Sequence, residues 1–396
     1  MMTPHTGEPA VHYPHRVAAQ ISMYPMDYPH AALLLPHQIR AWAPMVDRIL
    51  VTIDTHRSRS GRYRGTHFDE YRAKLLALAR ELRRDTPKLD VIEVDYAPEA
   101  RREVARSFFG AGDIPVKAWD GGPFYAYFYG MHHSQARHIV HFDGDMLFGG
   151  GSRRWVEEAI AYTEQDPNVL LTGPFPGPPR ADGAVYGHGQ PEPQRTEIAG
   201  APAYRFQSAS TRIFMLDMER LRATLGHLPL LPPGALQRLK SHLLGNPPQV
   251  REAEVILGEV LRQRGLYRVD LLGSAPGLWS LHPPYRGAEF YRRLPELIAA
   301  VESGELPEAQ RGHYDVHDSM IDWSAQRAAT RRHKRWLRML KDRLRIGGER
   351  PLAPPARPAF LTGRSAGFSS GSRTPDPPPR RPRRPPGRIP PRRPAG

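Results

Sequence analysis

Apolar and polar positions follow two alternating patterns from Val17 to Asp322. Short apolar runs, such as RILVTID at 48–54, are separated by longer stretches in which apolar residues recur every three or four positions, such as 68–84. The first pattern is typical of buried strands and the second of amphipathic helices. Their alternation predicts an α/β domain with a mostly parallel, Rossmann-like sheet flanked by helices.

The first half of this domain divides into individual elements in the order β-α-β-α-β-α-β. The predicted bounds are strand 17–24, helix 30–45, strand 48–54, helix 68–84, strand 89–94, helix 124–135 and strand 138–142. The last strand runs directly into Asp143-Gly144-Asp145. Ligands of open α/β sheets bind at the carboxyl ends of strands, so the acidic pair is predicted to lie at a ligand site.

The segment 173–207 has several Pro and Gly residues and weak periodicity. It therefore predicts a long loop between two strands. Structureless loops of this length inside compact domains are often functional lids. We expect this one to cover a ligand at the acidic pair.

The net charge of +15 is concentrated at the C-terminal end. Residues 351–396 carry ten Arg against one acid, and residues 323–350 carry ten Lys and Arg against two, which leaves about −2 for residues 1–322. This nearly neutral main body shows no interleaving of aromatic and basic residues. Nucleic acid is therefore not expected to be the main partner.

Composition and charge divide the chain into four zones. The predicted zones are a flexible N-terminus (1–16), the α/β domain (17–322), a basic amphipathic helix (323–350) and a disordered Pro/Arg-rich tail (351–396). The apolar face of the basic helix is formed by Trp336, Leu337, Leu340 and Leu344. Such a helix suits an anionic membrane surface, and it equally suits packing on the domain with its cations in water.

No apolar run is long enough to span a membrane, and the N-terminus lacks a signal pattern. The expected location is the cytoplasm, with peripheral contact at the inner membrane face if the basic helix docks there. The chain has no cysteine. Any metal must then be held by oxygen or imidazole ligands, which favours a hard divalent cation such as Mn²⁺ or Mg²⁺.

Asp143 and Asp145 are suited to such a cation. A nucleotide-sugar donor carries a diphosphate whose negative charge increases as the sugar departs, and a metal held by two carboxylates offsets that charge. Gly144 between them permits close approach of the backbone. The structural alternative is an ordinary Asp/Gly surface turn after a strand.

Several segments resemble the GT-A fold of glycosyltransferase family 2. They are HFDGDMLFGGGS at 141–152, Asp54 at a strand end, and Asp120-Gly121-Gly122 before a helix. The resemblance covers about residues 17–290. It implies a metal-dependent, inverting glycosyltransferase that moves a sugar from a nucleotide-sugar donor to an acceptor hydroxyl. The acceptor would be a sugar, a lipid-linked molecule or a small molecule.

The resemblance also implies roles for single residues. The metal ligands would be Asp145, Asp143 and His282, and the donor or its nucleotide would contact Tyr24, Pro25, Asp54, Asp120 and Asp143. Each has a structural alternative, such as a helix cap for Asp120 or Asp54, core packing for Tyr24 and Pro25, and a structural histidine for His282.

The family's acidic motif opens a helix, and REAEVILGEVLRQRGLYRV at 251–269 resembles it. Matching Gly265 places the family's catalytic Asp at Glu254, which would be the general base. The neighbouring acidic position falls on Ala253, and Glu252 is displaced by one residue. Either Glu252 or Glu254 can therefore be the base, and Glu254 can instead be a carboxylate that the helix dipole favours.

Two other functions compete with sugar transfer. A phosphatase of the haloacid-dehalogenase type also places two Asp one residue apart after an apolar strand, but normally near the start of its catalytic domain. A non-catalytic binding protein acting through the basic C-terminus is the other alternative. A sugar nucleotidyltransferase is disfavoured, because Tyr24-Pro25-Met26-Asp27 is not a Gly-rich, Arg-containing loop.

Overall fold

A computed structural model describes residues 12–57, 67–187, 193–198, 200–244, 246 and 249–331. The strands in these ranges are β1 (His15–Met23), β2 (Arg48–Ile53), β3 (Leu89–Glu93), β4 (Ala136–Asp143), β5 (Leu147–Gly149), β6 (Val169–Pro176), β7 (Gln194–Ile198), β8 (Ala201–Phe206), β9 (Ile213–Asp217), β10 (Tyr267–Leu271) and β11 (Trp279–Leu281). The helices are α1 (Tyr28–Trp42), α2 (Phe68–Asp85), α3 (Pro98–Phe109), α4 (Tyr125–His133), α5 (Trp155–Gln165), α6 (Met218–Leu225), α7 (Ala235–Leu244), α8 (Ala253–Arg264), α9 (Ala288–Ser303) and α10 (Ser324–Thr330).

The strands form a mixed sheet in the order β3-β2-β1-β4-β9-β6-β10-β8-β7. The strands from β3 to β4 are parallel neighbours. β9 is antiparallel to both β4 and β6, so β6 and its parallel neighbour β10 run in the same direction as β1. β8 and β7 form an antiparallel hairpin at the edge. The predicted α/β class with a mostly parallel central sheet is confirmed.

Helices cover both faces of this sheet, as the sequence of β1 requires. Its alternate residues Val17, Ala19 and Ile21 pack in a core with α1, α2 and α5, whereas Ala18 packs on the other face with α3, α4 and α8. A strand buried on both faces reads as a continuous apolar run. A third core lies between α9, β11 and Trp323.

The predicted element order needs one correction. Two helices, α3 and α4, lie between β3 and β4, where only 124–135 was predicted to be helical. Pro98 opens α3, and Gly110 closes it with a left-handed φ of 60°. These are ordinary start and stop signals for a helix.

The prediction of a structureless loop at 173–207 was wrong. β6 continues through Pro176, and β7 and β8 pair with each other and with β10. Residues 188–192 and 199 of this segment lie outside the described ranges.

At the C-terminal end, α10 covers 324–330, and Arg331 has an extended backbone. The predicted apolar stripe from Trp336 to Leu344 and the tail lie outside the described residues. Across the helices that the structure describes, none combines the length and apolarity needed to cross a membrane.

Candidate donor and acceptor site

Three parallel strands bring Tyr24, Asp54 and Asp143 to one edge of the sheet. β1 lies between β2 and β4, and Ser22 is in register with Asp143. The Asp54 N–H donates to the Met23 carbonyl at 2.8 Å, and the Gly144 N–H donates to the Ser22 carbonyl at 2.9 Å. A Cβ at Gly144 would lie 3.0 Å from the Met23 side chain, so a residue without one fits this close approach.

The two aspartates that follow β4 differ in their surroundings. Asp143 accepts a hydrogen bond from the Tyr127 hydroxyl at 3.0 Å. Asp145 is 1% exposed, and one of its oxygens pairs with the Arg286 guanidinium. Its other oxygen, Oδ1, is buried and has no hydrogen-bond partner among the described residues.

Burial and neighbouring charges shift the pKa values of these two aspartates in opposite directions. Burial, and then the negative charge of Asp145, raise the pKa of Asp143 above its ordinary value. Burial also raises the pKa of Asp145, but the charges of Arg286 and then His282 outweigh it and hold the pKa below its ordinary value. An additional cation beside Asp143 would therefore be favourable.

One cavity of about 750 Å³ extends from Asp145 and Arg286 to Asp54 and Lys117, and Tyr24 lines it. Arg286 also pairs with Asp27 at 3.0 Å, so the guanidinium is held between two carboxylates at this end of the cavity.

At the opposite end of this cavity, Asp54 accepts from three donors. They are the Lys117 ammonium at 2.6 Å, the Tyr96 hydroxyl at 2.5 Å and the His56 N–H at 2.8 Å. Burial, and then the charge of Asp54, raise the pKa of Tyr96, so its hydroxyl remains a neutral donor. Asp54 and Lys117 form a fixed acceptor and donor pair on the cavity wall.

A second cavity of about 730 Å³ adjoins the first. Both cavities are lined by Asp143, Tyr127 and Arg286, so Asp143 lies where they meet, whereas Asp145 lines only the first. Glu252 and Glu254, at the N-terminus of α8, line only the second cavity. The structure thus brings both candidate bases to the side of the acidic pair that is away from Asp54.

His282 follows β11 and also lines the second cavity. Its Nε2 is 3.9 Å from Asp145 and contacts Arg212, and its Nδ1 lies 2.8 Å from Asp315. Burial lowers the pKa of His282, although Asp315 and Asp145 oppose this. A neutral imidazole is the form that binds metals.

Two predicted residues lie elsewhere. Pro25 is buried at the start of a 3₁₀ turn and does not line either cavity. Asp120 lines the second cavity, and its Oδ1 accepts from the Gly122 N–H at 2.9 Å. Sequence reasoning missed Lys117, Arg212 and Arg286, because single basic residues in loops carry no pattern.

The residues at the acidic pair fit a divalent cation. Asp145 offers a buried oxygen that has no donor in the described structure, and Asp143 offers a second carboxylate. No group of three or more His, Asp and Glu side chains that could hold a metal is found within the described ranges. Oxygen atoms of a bound ligand would then have to complete the coordination.

No protein-family model matches the chain, and no curated protein sequence matches it significantly. Among solved structures, TarS 1-349 from S. aureus, in complex with UDP-GlcNAc, aligns with 10% identity and a TM-score of 0.34 over 74% of this chain and 68% of that chain. A mannosyltransferase from Pyrobaculum calidifontis, in complex with GDP-Man and Mn²⁺, aligns with 13% identity and a TM-score of 0.32 over 87% of this chain and 90% of that chain. Similarity at this level assigns no family.

Proposed function

We propose that this protein is a glycosyltransferase that moves a sugar from a nucleotide-sugar donor to an acceptor hydroxyl, with inversion at the anomeric carbon. The observation that supports it best is the position of Asp143, which lines both cavities, with Asp145 beside it in the first. One cavity has the polar ends that a nucleoside diphosphate needs. The other holds the carboxylates that an acceptor hydroxyl needs.

In this proposal the first cavity binds the nucleotide. The base or ribose contacts Asp54 and Lys117 beside the wall that Tyr24 provides, and the diphosphate lies near Arg286. A guanidinium binds phosphate oxygens with two parallel hydrogen bonds, so Arg286 can contact the diphosphate directly.

Asp143 and Asp145 would hold a divalent cation, Mn²⁺ or Mg²⁺, with His282 as a further candidate ligand. Such a cation would stabilise the charge that develops on the departing diphosphate. Arg286 neutralises Asp145 in the structure, and it would share its charge between Asp145 and the phosphates when the donor binds.

The transfer itself would use the second cavity. The acceptor hydroxyl forms a bond to the anomeric carbon, the bond from that carbon to the diphosphate oxygen breaks, and the bonding electron pair stays on the diphosphate. The hydroxyl proton passes to the carboxylate of Glu252 or Glu254, which acts as general base.

Thermal unfolding with UDP, GDP, CDP and dTDP, each with and without Mn²⁺, tests the donor site. A nucleotide at a hundred times its Kd should raise the Tm by about 5 °C, because it binds only the folded state. We expect a metal-dependent shift for one nucleotide, its loss in Asp145→Asn, and its retention in Asp85→Asn, which changes an exposed carboxylate at the end of α2.

If no nucleotide stabilises the parent, or if Asp145→Asn keeps the full shift, the proposed donor site is wrong. The phosphatase would then be the remaining explanation of the acidic pair, and the binding protein acting through the basic C-terminus would be the alternative that does not use it.

A further inference from the structure

α7 carries an apolar stripe on its outer surface. Leu236 is 75% exposed, Leu239 is 57% exposed and Leu243 is 45% exposed. At 100° per residue these three positions fall within about 60° of one another on the helix. Ser241, on the opposite face, is fully buried. The stripe therefore points away from the domain, the reverse of the usual arrangement in a surface helix.

The stripe lies in a basic stretch of sequence. No Asp or Glu occurs between Glu219 and Glu252, whereas five Arg and Lys do. Two of them are in α7: Lys240 lies beside the stripe, about 70° from its centre, whereas Arg238 lies about 130° from that centre. Exposed leucines beside a lysine, on a segment whose own sequence contains no acid, complement a surface that is apolar below a layer of negative charge.

α7 is also tied to the candidate site. The Arg251 N–H donates to the Leu231 carbonyl at 2.9 Å, so the chain before α7 and the chain after it meet next to Glu252. The Ser241 hydroxyl donates to the Asn246 carbonyl at 2.8 Å. A Cβ on Gly121, which lines the first cavity, would lie 2.9 Å from the Asn246 side chain.

We propose that α7 docks on an anionic membrane, with Leu236 and Leu239 in the headgroup region and Lys240 against lipid phosphates. This segment is a different part of the chain from the basic helix predicted at 323–350. If the proposed function also holds, docking places the second cavity close to the bilayer, and the acceptor is a molecule presented at the membrane surface, such as a lipid-linked sugar.

Flotation of the full-length protein with vesicles tests this proposal. The vesicles are pure phosphatidylcholine or an equal mixture of phosphatidylcholine and phosphatidylglycerol. The parent should float with the anionic vesicles only, and Leu236→Glu/Leu239→Glu should weaken this partitioning by about tenfold or more, because two apolar anchors become anions. Leu236→Ala/Leu239→Ala should weaken it less, because only apolar area is lost.

The control is Arg80→Gln/Arg84→Gln on the exposed face of α2, which changes the net charge by the same amount. It should bind as the parent does. If the glutamate variant and the control lose vesicle binding equally, net charge alone drives binding. If the glutamate variant binds as the parent does, another basic segment is responsible for vesicle binding. Either result overturns the proposal, as does a parent that does not float.

A second copy of the chain is the other occupant to exclude. Light scattering distinguishes this case. If the parent is a dimer and Leu236→Glu/Leu239→Glu is a monomer, the stripe mediates self-association and the proposal is overturned. Vesicle binding requires no nucleotide. The vesicle experiment therefore tests the docking surface independently of the nucleotide experiment, which tests the donor site.

Discussion

At the scale of single residues, Glu252 and Glu254 differ more than their spacing suggests. Glu252 precedes α8 with an extended backbone, and its Oε2 is buried with no hydrogen-bond donor in the part of the chain that the structure describes. Glu254 is exposed in the first turn of α8. A buried carboxylate oxygen without a donor is well placed to accept a hydroxyl proton, whereas an exposed one is already hydrated.

We therefore expect Glu252→Gln to lower kcat by about 10²–10⁴-fold and Glu254→Gln by less than about tenfold. The measurement is transfer or donor hydrolysis at saturating donor, with the nucleotide-induced Tm shift as proof that each variant still binds the donor. A larger loss of kcat in Glu254→Gln than in Glu252→Gln would instead identify Glu254 as the general base, the role that the family resemblance implies for it.

The sequence indicated the acidic pair because its signal is local: an apolar strand followed at once by two Asp. Arg286 has no such signal, since it meets Asp145 across 141 residues of chain. The same applies to Lys117, which reaches Asp54 across 63 residues. Residues contributed by strand ends were thus predictable, whereas their partners from loops required the fold.

At the scale of elements, β5 and β11 depend on a glycine. Gly149 pairs with Trp279, and a Cβ at Gly149 would lie 2.0 Å from the indole ring. The indole is buried in the core beside α9, so it has little room to move. β5 begins two residues after Asp145, and its position therefore affects the acidic pair.

Gly149→Ala should destabilise the protein by about 1–3 kcal/mol, the usual cost of overpacking a core. Gly112→Ala is the matched control, because a Cβ there has no atom within 4 Å. Thermal or urea unfolding should show a lower midpoint for Gly149→Ala than for the parent. The midpoint of Gly112→Ala should be almost unchanged. Equal midpoints for the two variants would mean that β11 shifts to accommodate the added Cβ at little energetic cost.

Elements with strong local patterns were predicted well, and those with weak patterns were not. β1, β2 and α2 were found close to their predicted bounds. α3 was missed because four of its first six residues are charged, although Val104, Phe108 and Gly110 carry the helical spacing and the stop signal. The hairpin of β7 and β8 was missed because β7 is an edge strand with no buried residue to mark it.

At the scale of the whole molecule, a small ionic network connects α1, α9 and β5. His37 Nε2 accepts the Phe148 N–H at 3.0 Å, so its Nδ1 carries the proton that it donates to Glu302 at 2.8 Å. Arg40 contacts the same carboxylate at 2.5 Å. The bond from His37 and, to a smaller extent, that from Arg40 lower the pKa of Glu302 to about 2.

A carboxyl whose pKa falls on folding stabilises the protein above its unfolded pKa, about 4.3, and loses this contribution as the pH falls toward 2. Glu302→Gln should therefore lower the free energy of unfolding at pH 7, by about 1 kcal/mol after solvent screening, and the difference should shrink between pH 5 and pH 3. Urea unfolding at these three pH values measures it, with the exposed Glu305→Gln as control. A difference that does not change with pH would mean that the loss is steric rather than ionic.

The pairing of β1 with β4 affects the order in which the chain can fold during synthesis. β2 is made soon after β1, but Ser22 has no register partner on its other side until Asp143 has been synthesised. A nascent chain that has not yet passed Ala136 therefore presents β1 as an open strand edge, the kind of surface that pairs with other chains. The topology that brings the acidic pair beside Tyr24 thus leaves the early chain most exposed to aggregation on the ribosome.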